Sequence, residues 1–394
     1  MLKKVKFYKK GDKMKRVIKN IIAIIIFAIT AFAIYYVKVV QKTDIITPTS
    51  IKIERTQPKE IIPTIASAFE TKRDHDNNID SLAVWHGPKD QNWLFATAKA
   101  KDKIIIYDAA TGKLIKEFGS NGQKLGEFIR PNGIVVIDDL AFVTERDGAR
   151  VQVFTLPDCR AIGIIGEESL KRPYGAATYK TKSGKYRLYV TDDYKADDPK
   201  QMNKRVHLYE VEIDGSKVDS ELIKTFGDVS GNGVLYKVES ILVDRPNKRL
   251  FVADENKEKR DIKIYTLEGE FVGSFLGKGL FRREPEGIAI YATSKDDGFI
   301  IATDQNYTNN TFHVFDRHSL KHLASFQAKN TTNTDGITIT NKSFGKFKKG
   351  AFYAVHDDGN VVAIDWALLS EKLGLDKYSK PYVEADYQYD AAIA

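Results

Sequence analysis

Short apolar runs alternate with polar turns along most of the chain, and one arrangement returns six times between about residues 80 and 366. Each unit opens on an acidic or polar residue followed by a small one, and then runs on as an apolar strand. A second strand, a polar loop and a third strand follow, and most units add a fourth, such as Leu114–Phe118. The first strands open at Asp80-Ser81-Leu82, Asn132-Gly133-Ile134, Tyr174-Gly175-Ala176, Glu239-Ser240-Ile241, Glu286-Gly287-Ile288 and Asp335-Gly336-Ile337.

Four short strands in about 50 residues, repeated six times, predict an all-β fold, a six-bladed β-propeller with four-stranded antiparallel blades. A single blade cannot bury its own faces, so neighbouring blades must stack. The sixth unit lacks a fourth strand and turns helical over Ala367–Leu373. We therefore expect a strand within Glu60–Phe69 to complete that blade and close the ring.

An uncharged apolar run, Ile21–Val37, precedes the propeller and follows a basic segment. Its 17 residues are close to the roughly 20 that a transmembrane helix needs. The basic cluster predicts that the N-terminus stays inside and that the propeller is exported, to the periplasm or the cell exterior. A signal peptide cleaved near Ala31-Phe32-Ala33 is the alternative, and it implies secretion. The predicted organisation is a cytoplasmic segment at 1–20, a membrane segment at 21–37, a tether at 38–59, the propeller at 60–380 and a tail at 381–394.

The positive charge of the chain is confined to its N-terminus. Residues 1–20 contain nine Lys or Arg and one Asp, which accounts for the whole net charge of +8. The remainder is neutral, which argues against nucleic acid as a partner. The single cysteine, Cys159, excludes an internal disulfide and a thiolate zinc site. We expect a monomer that contacts the membrane only through its N-terminal helix.

Equivalent positions of a propeller lie on circles around its axis, so the repeat predicts which side chains meet. The residues that open the six first strands form ring one, and four of them are carboxylates. The loops after the second strands return to the same face and form ring two. Ring one is Asp80, Asn132, Tyr174, Glu239, Glu286 and Asp335; ring two is Lys99, Arg146, Asp193, Glu255, Gln305 and Asp357.

Crowded carboxylates raise one another's proton affinity, and a hard cation removes that penalty. Carboxylate, amide and phenol oxygens are ligands that suit calcium. Lys99 and Arg146 lie one blade apart on ring two, beside the acids. Cations next to a metal-rich mouth favour an anionic ligand such as phosphate.

Five short motifs carry a resemblance to the β-propeller phytases, from about Asp80 to Trp366. A local stretch from Phe118 to Phe154 also resembles an NHL-type repeat, which agrees on the architecture. The phytase-like motifs are Asp80-Ser81-Leu82-Ala83-Val84-Trp85, Glu239-Ser240-Ile241 with Leu250-Phe251-Val252-Ala253-Asp254-Glu255, Glu284-Pro285-Glu286-Gly287-Ile288, Ala302-Thr303-Asp304-Gln305 and Thr334-Asp335-Gly336-Ile337.

The resemblance implies a 3-phytase-like phosphatase that uses several calcium ions and a metal-activated water to hydrolyse inositol hexakisphosphate or related phosphate esters. It implies that Lys99 and Arg146 hold the substrate phosphate and that Tyr174 and Glu286 belong to the catalytic centre. The calcium ligands that it implies are Asp80, Glu239, Glu255, Glu284, Glu286, Gln305 and Asp335. Ser81 departs from the family motif, which has a second acid there.

Two alternatives remain open on the sequence. A non-catalytic, NHL-like propeller that binds a protein or glycan needs no metal and presents an exposed aromatic surface. A calcium-dependent lactonase-type hydrolase needs one ion in the channel and an apolar pocket. The phosphatase differs from both, because it requires several calcium ions and requires Lys99 and Arg146 to point at one place.

Overall fold

The computed structural model describes residues 62–380 and Tyr382, which fold into β-sheets with one short α-helix. The predicted segments 1–20, 21–37 and 38–59 lie outside these residues, and so do residues 60–61 at the predicted start of the propeller. The predicted tail also lies outside them, except for Tyr382. Within the described part of the chain, no helix combines the length and the hydropathy needed to cross a membrane.

The sheets form six blades, and the strands follow one another outward along the chain. Two short strands come first, β1 (Thr64–Ile65) and β2 (Phe69–Glu70). Blade one contains β3 (Ile79–His86), β4 (Asn92–Ala98), β5 (Lys103–Asp108) and β6 (Leu114–Phe118). Blade two contains β7 (Pro131–Ile137), β8 (Leu140–Glu145), β9 (Arg150–Thr155) and β10 (Arg160–Ile165). Blade three contains β11 (Pro173–Lys180), β12 (Tyr186–Asp192), β13 (Val206–Asp214) and β14 (Lys217–Phe226).

The last three blades continue the same order. Blade four contains β15 (Val238–Asp244), β16 (Arg249–Asp254), β17 (Asp261–Tyr265) and β18 (Phe271–Leu276). Blade five contains β19 (Glu284–Ala292), β20 (Gly298–Gln305), β21 (Thr311–Asp316) and β22 (His322–Ala328). Blade six contains β23 (Ile337–Thr340), β24 (Ala351–His356) and β25 (Asn360–Asp365), followed by helix α1 (Trp366–Lys372). Short 3₁₀ turns lie at His75–Asn77, Pro199–Gln201 and Gly231–Gly233. The predicted six-bladed propeller is confirmed.

The N-terminal strand β2 completes blade six. It pairs antiparallel with β25, with Phe69 opposite Ala363. The closing strand therefore starts at the last residue of the predicted range Glu60–Phe69. Strand β1, which lies inside that range, instead pairs in parallel with β22 of blade five, with Thr64 opposite Gln327. The chain thus passes along the outer edge of blade five before it reaches blade six, and it ties the two blades together.

The core is divided into six apolar clusters, and each cluster combines side chains of two neighbouring blades. The innermost strands also contact one another around the whole ring, and β23 meets β3 at the closure. A blade consequently has no apolar core of its own, as expected where stacking supplies the burial.

A β-bulge recurs at the start of the innermost strands and displays the ring-one side chains. In the first five blades the pairing register shifts across the ring-one residue and the small residue after it, as between Ile79 and Leu82 in blade one. In blade six, Asp335 and Gly336 lie immediately before β23. A bulge re-aims a side chain out of the regular pleat. The pattern of a polar and then a small residue is therefore the sequence mark of this bulge.

In the four blades that have glycine at this position, the glycine is required because the next blade approaches very closely. A Cβ on Gly133 would lie 2.4 Å from the carbonyl oxygen of Tyr174, and one on Gly175 would lie 2.4 Å from that of Glu239. A threonine at the end of the second strand bridges the two blades. Thr191 accepts a hydrogen bond from the Gly175 N–H (2.8 Å) and donates one to the Glu239 carbonyl (2.7 Å). Thr97 makes the equivalent bridge from blade one to blade two.

We predict that Trp366→Ala lowers the free energy of unfolding by about 3–5 kcal/mol. Trp366 is fully buried at the start of α1 and stacks on Tyr291 of blade five, with ring centroids 3.9 Å apart. Its Nε1 has no hydrogen-bond partner among the described residues, so the loss comes from packing. Denaturant unfolding measures it. The control Tyr307→Ala removes an aromatic ring that is 75% exposed and should change stability by less than about 0.5 kcal/mol. Equal losses in the two variants would contradict the role of this contact.

Candidate metal and anion site at the channel mouth

Three glutamates from blades four and five converge at one mouth of the central channel. Glu239 comes from the bulge of β15, Glu286 from the bulge of β19, and Glu255 directly follows β16. One carboxylate oxygen of each lies within 4.8 Å of the others. Glu255 and Glu286 are buried, and the side chain of Glu239 is 13% exposed. We call these three residues the acidic cluster.

Burial and mutual repulsion disfavour the charged forms of the acidic cluster. Desolvation raises the pKa of all three carboxyl groups, and the charge of Glu255 raises the pKa of Glu239 and of Glu286 further. Lys237 opposes this effect through ion pairs with Glu255 and, at 3.5 Å, with Glu239. The Oε1 atom of Glu255 is buried without a hydrogen-bond partner among the described residues. One ammonium group thus faces three acids and leaves an oxygen unsatisfied.

A second group of side chains continues the mouth through blades six and one. Lys99 forms ion pairs with Asp80 and, at 3.2 Å, with Asp335. Gln305 donates a hydrogen bond of 2.6 Å to Asp335, and Asn132 donates one of 3.0 Å to Asp80. Burial raises the pKa of Asp335 to about 7, although Lys99 opposes the shift. Burial also disfavours charge on Lys99, but the two aspartates raise its pKa overall.

Arg146 and Tyr174 complete the mouth on blades two and three. The guanidinium donates a hydrogen bond to the Tyr174 hydroxyl (3.4 Å) and lies 5.8 Å from the ring centroid. It also pairs with Asp147 at 2.9 Å, and its side chain is 15% exposed. Burial raises the pKa of Tyr174, and the charge of Glu239 raises it further. The phenol is therefore a neutral hydrogen-bond donor at physiological pH.

The ring-one side chains enclose a small cavity of about 20 Å³, which is enough for a water molecule or a single cation. It shares Ser81, Gly175 and Ser240 with the central channel, a cavity of about 350 Å³ between the innermost strands. The lining of the small cavity is Asp80, Ser81, Tyr174, Gly175, Glu239, Ser240, Glu286 and Asp335.

The structure therefore brings nearly all of the predicted site residues to one mouth, and Glu284 differs from the rest because, among the described residues, its side chain forms no hydrogen bond or ion pair with them. Glu284 is half-buried, starts β19 opposite Gln305, and does not line the cavity. In ring two, Asp357 turns outward and pairs with Arg73 at 2.6 Å. Its neighbour Asp358 is the one whose pKa is raised by burial and by Asp80, and it also interacts with Lys99.

Sequence reasoning missed Lys237 and Asp358. Lys237 occupies the position two residues before ring one, which is Arg130 in blade two and Arg172 in blade three. A basic residue at this position in three blades is a sequence pattern from which Lys237 could have been predicted at the mouth. Asp358 had no such signal, because Asp357 and Asp358 both have positive φ angles (47° and 55°), and this turn decides which of them faces inward.

The acids immediately before ring two have a structural role. Asp192 accepts hydrogen bonds from the backbone N–H groups of Lys171 and Arg172, at 3.0 and 2.6 Å. Asp254 does the same for Tyr236 and Lys237, at 2.9 and 3.0 Å. These contacts fix the loop that leads into the next innermost strand, and so they position the side chains of the mouth.

Comparisons with known proteins find no family model and no curated protein that matches this chain. Similar solved structures include a nidogen–laminin complex, at 15% identity and a TM-score of 0.47, over 68% of this chain and 88% of that chain. Another is the WD40 domain of Neurospora crassa Pan2, at 10% identity and a TM-score of 0.43, over 74% of this chain and 76% of that chain. By its own sheets and side chains, the protein is a six-bladed β-propeller with a buried acidic cluster.

We predict that the metal-free protein loses stability as the pH rises from about 4 to 7. The folded pKa of Asp335, about 7, exceeds its ordinary value of 3.8, so the folded state holds a proton that the unfolded chain has released. The contribution of Asp335 to the free energy of unfolding is fully present below about pH 4. It falls by up to about 1.4 kcal/mol per pH unit above that and is lost as the pH passes 7.

Denaturant unfolding in chelator across this pH range measures the effect. Asp335→Asn should make the profile less steep, because the amide cannot ionise, while the three glutamates of the acidic cluster keep their part of the slope. The control Asp76→Asn changes an aspartate whose side chain is 78% exposed and should leave the profile unchanged. A profile of Asp335→Asn that is as steep as that of the wild type would contradict the assignment.

Proposed function

We propose that this protein is a calcium-dependent phosphomonoester hydrolase of the phytase type, acting on inositol hexakisphosphate or related phosphate esters. One observation carries the proposal. Three buried carboxylates meet within 4.8 Å at a propeller mouth that also contains Lys99 and Arg146. This arrangement supplies ligands for a hard cation and donors for an anion at the same place.

The residues of the mouth fit calcium. Its ligands are oxygen atoms, which calcium prefers, and the described part of the site contains no thiol. The Oε1 atom of Glu255, which is buried without a hydrogen-bond partner among the described residues, is an oxygen that a cation would satisfy. Glu239, Glu255 and Glu286 would hold the first ion, and Asp80, Gln305 and Asp335 would serve a neighbouring one. Glu284 would contribute only from outside the cavity.

The side chains of blades one to three are suited to hold the phosphate. The planar guanidinium of Arg146 matches the geometry of phosphate oxygens, and Tyr174 adds a neutral donor beside it. Lys99 supplies a further charge where negative charge builds on the phosphoryl group. When bound, calcium ions polarise a phosphate and lower the pKa of water. The chain's own part is to orient the ester and to neutralise its oxygens.

A calcium-binding propeller without hydrolytic activity is the second candidate. Ser81 lies in the cavity and donates a hydrogen bond of 3.3 Å to Asp80, where the family motif has an acid. The mouth therefore has one ligand fewer than the resemblance implies. Such a protein would keep the metal site and lack turnover.

The proposal includes an exported propeller, held at the membrane by the segment 21–37 or secreted after its cleavage. That segment lies outside the described residues. A monomer whose other partner is a phosphorylated small molecule also stays a prediction.

We predict that the purified full-length protein releases phosphate from inositol hexakisphosphate with calcium and stops when a chelator is added. Glu286→Gln removes a ligand charge and Arg146→Ala removes a phosphate donor, so each should lower kcat/KM by about 100-fold or more. Phosphate release over time is the measurement.

Two surface variants are matched controls, Glu221→Gln on the outer strand of blade three and Arg160→Ala on that of blade two. Both should keep full activity. Calcium binding without phosphate release would favour the second candidate. Phosphate release that persists in chelator, or in Glu286→Gln, would contradict the proposed mechanism.

A further inference from the structure

Lys237 stands where a metal ion would neutralise the acidic cluster. It precedes β15 by one residue, and its ammonium forms ion pairs with Glu255 and with Glu239. These are two of the three carboxylates whose oxygens lie within 4.8 Å of one another. An ammonium group paired with two of these carboxylates repels a divalent cation held by the same carboxylates, and it competes with that cation for their negative charge.

The ammonium group of Lys237 has room to move away from the acidic cluster, whereas the backbone of this residue is fixed by hydrogen bonds. Its N–H donates to Asp254 (3.0 Å), and its carbonyl accepts from the N–H of Glu255 (3.0 Å). The side chain is nevertheless 46% exposed, so the long apolar arm can swing into solvent. Lys263 offers a contrast, since it is 1% exposed and is held by Asp254 and Asp261 at 2.8 and 2.6 Å. Lys263 is therefore enclosed by the protein, whereas the side chain of Lys237 has solvent beside it.

We propose that Lys237 is a resident counter-cation that a divalent ion must displace, so that this residue sets the calcium concentration at which the site fills. The proposal rests on the metal site of the proposed function. Without metal, the ammonium lowers the repulsion among the three acids and keeps the mouth folded. Its removal leaves the acids uncompensated, which favours any incoming cation and costs stability while none is present.

The test is a calorimetric calcium titration of the full-length protein and of Lys237→Met, which keeps the length of the arm and removes its charge. We expect calcium to bind at least about tenfold more tightly to Lys237→Met, because an adjacent like charge has been removed. Lys237→Arg keeps a cation and should stay near the wild-type affinity. The matched control is Lys259→Met, an exposed lysine that lies over Tyr236, 5.5 Å from the ring centroid, and it should not change the affinity.

Thermal unfolding gives a second measurement that is independent of catalysis. In chelator, Lys237→Met should melt below the wild type, and added calcium should raise its melting temperature by more than it raises that of the wild type. A variant that folds only when calcium is present would support the proposal in the same way. Unchanged or weaker calcium affinity in Lys237→Met, while the wild type binds, would overturn it.

The outcomes separate the two proposals. If the wild type binds calcium and releases phosphate but Lys237→Met has an unchanged calcium affinity, the counter-cation proposal is wrong and the proposed function stands. If Lys237→Met binds calcium more tightly than the wild type as expected, but no phosphate ester is hydrolysed, the counter-cation proposal stands and the proposed enzymatic function is wrong. If the wild type binds no calcium at all, both are wrong.

Discussion

The close approach of the innermost strands is the constraint on which the rest of the structure depends. At four of the six blade junctions the glycine of one bulge lies against a backbone carbonyl of the next blade, and no Cβ fits at Gly133 or Gly175. Thr191 and its equivalent in blade one turn that approach into hydrogen bonds. The same bulge directs the preceding side chain toward the axis, so the contact that closes the ring also determines which residues meet at its mouth.

This geometry brings several carboxylates close together, and the protein neutralises them to different extents on the two sides of the mouth. On the side of blades six and one, Asp80 and Asp335 share Lys99 and receive amide donors, so their oxygens are satisfied by the protein itself. On the side of blades four and five, three glutamates share the single, half-exposed Lys237, and one oxygen of Glu255 has no partner among the described residues. A purely structural mouth would gain stability from fewer acids, because buried carboxylates of like charge raise one another's pKa. Retaining them is the kind of stability cost that functional sites carry.

Much of this could be predicted from the sequence, because a bulge ties each ring-one side chain to a small residue that is visible in the repeat. The blades, ring one and the convergence of Glu239, Glu255 and Glu286 follow from that register. Register also explains what could not be predicted. Neighbouring acids such as Asp254 and Glu255 differ by one position, yet the first holds a loop backbone while the second faces the mouth. The inward position of Asp358 depends on two positive φ angles, which the residue pattern does not predict. The closing strand begins only at Phe69 because β1 first pairs with the outer strand of blade five.

The distribution of charge around the mouth bears on the choice between an enzyme and a binding propeller. The acids that share one lysine lie on blades four and five, whereas Tyr174, which accepts a hydrogen bond from Arg146, lines the same narrow cavity from blade three. A surface that binds a protein needs area and exposed side chains, but here the crowded carboxylates are buried around a small cavity. A cation held there and the guanidinium beside Tyr174 would both attract a small dianion. This distribution of charge is the reason for proposing a phosphate ester rather than a macromolecule as the ligand of the mouth.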